Sequence, residues 1–292
     1  MANNKLLTNE KQANIGNFLV GRLLPIKEKR QVGPFTFIDH MGPAEIGPNK
    51  YMDVDQHPHI GLSTLTYLFE GEIEHKDSIG SEVIVKKGDV GFMTAGSGVS
   101  HTERTPKALR DGKTYPVHGY QIWVALPKEL EEMNPEFHFV QNHELPSKET
   151  EELKIIVAAG EGFGMKSPLK VHSPLFMVDV LARKDTELNI RNKVEGEIAF
   201  VIVKGRLTNE GQEIEAGQML ISTTENECKV QLKQGTQLLL FGGEPLPEQR
   251  FLSWNFVSSN KDRLKQAQKD WEEKKFPKVA SDNTYIPFPT WK

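Results

Sequence analysis

The chain is nearly without cysteine: Cys228 is the only one among 292 residues. An intrachain disulfide and a Cys-based zinc cluster are therefore excluded, and Cys228, in the polar stretch ENECKV, reads as a bystander and not a nucleophile. Excess basic charge is lacking too. Lys and Arg number 36 against 40 Asp and Glu, for a net charge of -4. A protein that tracks a nucleic-acid backbone needs a basic face, so no direct nucleic-acid binding is expected. Long apolar runs are missing: nothing approaches the ~20 residues of a membrane span, and the start, MANNKLLTNEKQANIG, has no signal-peptide core. No membrane binding is expected, and the chain reads as a cytoplasmic protein. No serine stands in a GxSxG elbow. Histidine is absent after His172.

What the chain does have is many short strand-like runs. Ser63–Phe69, Glu82–Lys86, Gly119–Leu126, Lys154–Ala158, Leu175–Leu181, Ile198–Val203 and Gln237–Phe241 are apolar, often β-branched, and bounded by turn residues. Such a series predicts an all-β protein of barrels or sandwiches. The stretch Glu129–Glu152 is polar and acidic, holds Pro135 and Pro146, and reads as a linker. Its flanks resemble each other: YLFEGEIEHKDSIGSEVIVKKGDVGFMTAG before it and FVIVKGRLTNEGQEIEAGQMLIS after it both read strand, glycine turn, strand. This predicts an internal repeat and two domains, 1–140 and 141–292. Ser259 is the expected N-cap of a C-terminal helix, with Asp262 three residues on, Leu264, Ala267 and Trp271 on one face, and Pro277 as its stop. The aromatic tail Tyr285–Trp291 is expected to dock on the body.

Two histidine pairs carry the chemistry. His57 and His59 form HPH, and His101 with Glu103 forms HTE. Residues i and i+2 of a strand share a face, about 6.5–7 Å apart. Two such pairs on neighbouring strands would aim four ligands at one point. Three imidazoles and a carboxylate suit Fe(II), Mn(II), Ni(II), Cu(II) or Zn(II), and on an octahedral ion they leave two positions open. The same half has a turn at Gly71, another at Gly88-Asp89, and a glycine corner at Ala95–Gly98 leading into His101. That order can close a small barrel with both ligand strands at one mouth.

Other candidates read differently. His75 and Asp77 share the i, i+2 spacing but lie in the polar stretch GEIEHKDSIG, which reads as an exposed hairpin arm. His118 either hydrogen-bonds a ligand or is a structural histidine at a strand start; His40 reads as packing. Phe35, Phe37 and Phe92 are residues of the core or, failing that, of the mouth. Gly160–Gly164 imitates a dinucleotide loop, but Met165 and Pro168 break that pattern. No HxH exists in residues 173–292. A second metal site of this kind is thereby excluded, leaving that half to stability, to shaping the mouth or to binding a partner.

Taken together, Asp55-Gln-His-Pro-His-Ile-Gly61, Tyr67-Leu-Phe-Glu-Gly71, Gly88-Asp89, Met93-Thr-Ala-Gly-Ser-Gly98, His101-Thr-Glu103, His118-Gly-Tyr-Gln-Ile-Trp123 and Gly242-Gly-Glu-Pro-Leu246 resemble the pirin family of the cupin superfamily. The resemblance runs from about residue 15 to the end. It implies two tandem jelly-roll-like cupin barrels with a C-terminal helix and docked tail, and one metal, foremost Fe(II), in the first barrel. Ordinary cupins place a glutamate ligand shortly after HxH; this chain has Ser63 and Thr64 there. In pirins the carboxylate comes from the HxE pair, here Glu103. Some members keep an acid at the position of Ser63. The resemblance implies quercetin 2,3-dioxygenase activity, found in some members, in which O₂ opens a flavonol ring and carbon monoxide leaves, with Glu103 or a nearby group taking the flavonol's hydroxyl proton. The alternative it implies is a metal-dependent redox sensor or regulator that binds a protein partner.

Overall fold

The computed structural model describes residues 5–15, 17–48, 50–223, 229–280 and 282–290. Cys228 and Trp291 lie outside them. All seven predicted runs coincide with strands, among them Leu62–Glu70, Tyr115–Ala125, Glu197–Lys204 and Gln237–Gly243, with Leu126 alone falling one residue past its strand. The fold is mostly β, two cupin domains with one C-terminal helix. None of the described helices is long and apolar enough to cross a membrane.

Two compact units divide the chain, and both draw on distant segments. One takes Met1–Lys11, Gly21–Ile38 and Val140–Leu246; the other takes Gln12–Val20, Asp39–Phe139 and Pro247–Lys292. They therefore differ from consecutive halves meeting at residue 140. The physical reason at the N-terminus is edge pairing. Strand Leu6–Asn9 runs antiparallel to Gln218–Thr223, with Leu6 opposite Ile221, and covers an edge that would otherwise present bare N–H and C=O groups. The helix joins the other unit because its apolar face needs a partner.

The internal repeat is visible in the strand order. In the metal-candidate unit a four-stranded sheet runs Asp53–His59, Val99–Arg104, Glu72–Asp77, Glu82–Lys86. In the other unit a four-stranded sheet runs Thr186–Asn189, Lys229–Leu232, Arg206–Asn209, Gln212–Glu215, the same connectivity one repeat later. The larger sheets share an order as well: Val90–Thr94, Leu62–Glu70, Tyr115–Ala125, Phe35–Ile46 in one, and Gln218–Thr223, Glu197–Lys204, Gln237–Gly243, Leu175–Ala182 in the other. Where the first copy has HPH and HTE, the second has Thr-Glu-Leu-Asn and Lys-Val-Gln-Leu. Leu188, Val230 and Leu232 of those strands are buried in an apolar cluster with Phe200, Ile214 and Leu240. Phe35 also packs in this unit, 5.0 Å from Phe241, and Phe37 lies under the Arg22 guanidinium. Both are buried, as is Phe92 of the other unit.

Two local expectations need correction. The stretch Glu129–Glu152 is not a plain linker. Glu136–Val140 forms an edge strand beside Val90–Thr94, and Ser147–Glu149 pairs with Leu153–Gly162. The Glu131 carboxylate is buried and accepts from Ser258 Oγ and the Ser259 amide, both at 2.7 Å, while pairing with Arg250 Nε at 2.9 Å. Ser259 is thereby occupied, and the helix Lys261–Glu272 is capped one residue later: Asn260 accepts from the Asp262 amide.

The helix buries Leu264, Ala267 and Trp271 against Ile60, Phe256 and Phe276. The tail then docks on the same unit. Trp271 Nε1 donates to the Ile286 carbonyl at 2.9 Å, and the Tyr285 ring stacks on Trp271 at 4.5 Å. Trp271→Ala should cost about 3–5 kcal/mol of stability, and a fall in the urea midpoint measures it.

Candidate metal centre

The HPH strand, Asp53–His59, is the edge strand of its sheet. Pro58 has no N–H to donate, and an edge is where a strand tolerates that. On its inner side it pairs antiparallel with Val99–Arg104, placing His57 opposite His101 and His59 opposite Val99. The register slips between His101 and Glu103, so that Asp55 and Gln56 bulge against Thr102. The bulge brings the Asp55 carbonyl to 2.8 Å from His57 Nδ1. Past the strand, Gly61 takes φ +66 and its amide donates to the Gly96 carbonyl at 2.9 Å. A Cβ at Gly61 would meet the Val257 carbonyl oxygen at 2.0 Å, so this corner requires glycine.

These constraints bring His57, His59 and His101 together, all buried, with one donor atom from each within 4.8 Å of the others. His59 Nε2 and His101 Nε2 stand 3.1 Å apart. Two bonds of about 2.1 Å meeting near a right angle on one cation separate their nitrogens by about 3.0 Å. The Nδ1 atoms face carbonyl oxygens, Asp55 for His57 and Asn255 (3.1 Å) for His59. A ring that donates Nδ1–H to a carbonyl must carry its lone pair on Nε2, the form a metal needs. The residues therefore fit a divalent transition metal.

Glu103 falls in a second group of donors, with His75 and His101. Its Oε1 accepts from Gln121 Nε2 at 2.9 Å and lies 3.4 Å from the Thr66 hydroxyl, whose shorter bond, 2.7 Å, runs to Gln121 Oε1. Burial pushes the Glu103 carboxyl above its usual range, against the opposing pull of His75 and Gln121. His101 is the member shared by both groups.

His75 and Asp77 are not on an exposed arm. Their strand is interior to the four-stranded sheet, paired with Val99–Arg104 on one side and Glu82–Lys86 on the other. Both are buried, alternating with the more exposed Glu74 and Lys76. That alternation, continued from Ile73, was the available signal in the sequence; polar composition hid it. Thr66 carries no motif, and Gln121 lies in the His118–Trp123 segment with nothing local to tie it to Glu103; strand pairing sets the two opposite each other. His118 does not reach the cluster. It faces His40 at 2.9 Å between Nε2 atoms, and His40 stacks on Tyr120 at 4.6 Å. Ser63 is buried with its hydroxyl 2.9 Å from that of Thr94.

The tail closes over the neighbouring backbone. Gln56 accepts from Val279 and Ile286 amides and donates to Thr284, and Arg104 pairs with Asp282 at 2.8 Å and Asp55 at 2.9 Å.

The Pirin profile matches residues 17–124, and the profile of the Pirin C-terminal cupin domain matches residues 177–277. The chain belongs to the pirin family. A pirin-like protein of Caulobacter vibrioides is 43% identical over 97% of this chain and 99% of its own length. A Pseudomonas aeruginosa protein provisionally named quercetin 2,3-dioxygenase is 33% identical over 88% of this chain and 80% of its own. Among solved structures, a quercetin 2,3-dioxygenase from Acinetobacter baumannii superposes on this pirin with a TM-score of 0.90 at 34% identity, covering 99% of this chain and 96% of that one.

Burial holds the cluster neutral. It lowers His57 from 6.5 to about 4, and takes His59 and His101 well below their usual value, with neighbouring imidazoles adding to the effect. In the unfolded chain these rings gain protons near 6.5, so the unfolded state is the one that acid favours. The metal-free pirin should lose stability as pH falls from 6.5 to about 4, by about 3 kcal/mol through His57 alone. Chemical denaturation across that window measures the slope; flat stability would contradict it.

Proposed function

We propose that this pirin is a metal-dependent dioxygenase of the quercetin 2,3-dioxygenase kind, using His57, His59, His101 and Glu103 to hold one divalent transition metal, with Fe(II) first among Fe, Mn, Ni, Cu and Zn. The observation that carries this reading is a buried set of imidazoles, His57, His59 and His101, with the buried carboxylate of Glu103 grouped around the same His101. The names of the Pseudomonas and Acinetobacter relatives support the substrate class, a flavonol with O₂.

When bound, the metal would orient a substrate oxygen and stabilise its negative charge. The protein's own part is proton handling and exclusion of water. Gln121 fixes the carboxylate of Glu103 through Oε1 and leaves Oε2 to act toward the metal or a substrate hydroxyl. Glu103 is a buried carboxylate in the same donor group as His101, within reach of what that imidazole would hold. Ser63, with its hydroxyl facing Thr94, offers no carboxylate. In this reading Glu103, or a group beside it, takes the hydroxyl proton of the flavonol. Trp123 stands edge-on to His59 at 5.1 Å and walls that side of the cluster with an apolar ring.

Aerobic incubation with quercetin should bleach its near-UV/visible band when the protein carries Fe, Mn, Ni or Cu. Glu103→Gln should slow the bleaching by about 10²–10⁴-fold, with metal content assayed on the same sample. Absence of turnover with every one of these metals would overturn the enzymatic reading. It would leave the metal-dependent regulator as the function to pursue.

A further inference from the structure

His57 and His59 each have a backbone carbonyl to fix which nitrogen is protonated, and among the described residues His101 has none. Its Nδ1 faces His75 Nδ1 at 3.4 Å. Two imidazole nitrogens can share a hydrogen bond in either of two senses. Only one leaves His101 Nε2 bare toward His59. The other side of His75 breaks the tie. His75 Nε2 lies 3.2 Å from Asp77 Oδ2. Asp77 is itself pinned, its Oδ1 accepting from the Ile79 amide at 3.1 Å and the Ser81 amide at 2.8 Å. A carboxylate accepts and does not donate, so His75 carries its proton on Nε2 and presents a lone pair at Nδ1. His101 must then donate Nδ1–H, and its Nε2 is left as a donor to a cation. The His75 ring is held in plane by stacking on Phe137, 4.5 Å between centroids at 17°.

We infer that Asp77 and His75 form a relay that sets the tautomer of His101, the positioning counterpart of the carbonyls behind His57 and His59. This rests on the metal reading of the cluster but not on the flavonol reading. It assigns a use to a buried His–Asp pair that the proposed reaction leaves idle. Outer-shell partners of this kind shift metal affinity by about 10–100-fold when removed.

Asp77→Asn is the sharpest variant, because the side-chain oxygen can keep the two amide bonds while the amide nitrogen turns toward His75 and reverses the relay. Nickel(II) affinity, measured by competition against a chelator, should fall about 10–100-fold in Asp77→Asn. His75→Phe, which keeps the stacked ring and removes the acceptor, should show the same fall with one-to-one stoichiometry retained. Nitrogen-15 NMR of the metal-free wild type should show His101 protonated on Nδ1 and His75 on Nε2, which decides the relay without any variant. His101 protonated on Nε2, or unchanged affinity in a folded Asp77→Asn protein, would overturn it. So would complete loss of nickel from His75→Phe, since that would make His75 itself a ligand. A wild type that binds no nickel refutes the metal reading instead, and the NMR result still stands or falls alone.

Discussion

Burying several imidazoles in contact, all neutral, is the constraint on which the metal-candidate unit depends. Each ring out of water has given up hydration, and His59 and His101 set nitrogen against nitrogen at 3.1 Å. Such a cluster is sustained by satisfying the outward-facing ring nitrogens and the carboxylate beside them. The surrounding strands supply this satisfaction. The bulge at Asp55–Gln56 turns a carbonyl to His57, the loop at Asn255 supplies one to His59, and Gln121 meets Glu103. The helix and tail belong to the same argument, because they cover Ile60 and bind Gln56, the residues bordering HPH.

The second copy of the repeat is the internal control. It preserves the strand order of both sheets, so the architecture does not need the histidines. At the matching strands it buries Leu188, Val230 and Leu232, an apolar filling of the equivalent positions. Without a ligand set to hold, leucine and valine stabilise a barrel interior at no cost in desolvated polar groups. The asymmetry between copies is thus one of filling: clustered buried histidines in one, buried leucine and valine in the other.

Much of this was legible in the sequence, for definite reasons. HPH and HTE stand out because a strand repeats every two residues, and the glycines at 61, 71, 88 and 96 mark corners that all take positive φ. The pirin resemblance and the two-barrel fold follow from the same motifs. Less legible were features set by partners distant in the chain. His75 looked solvated because Glu72, Glu74 and Lys76 surround it, yet its strand is flanked on both sides. His118 and His40 are 78 residues apart and nothing local joins them. The pairing of Leu6–Asn9 with Gln218–Thr223 is made by backbone groups and leaves little side-chain signature. The helix cap moved from Ser259 to Asn260 because a buried glutamate, Glu131, had already taken the serine.

We propose that this cluster holds one metal, with His101 as the member common to both groups of donors. Metal analysis of the purified protein beside His101→Ala tests it most directly. The wild type should carry one divalent transition ion per chain, and a folded His101→Ala protein should lose it. Full metal content in the variant, or a wild type that neither carries nor takes up such an ion, would contradict it.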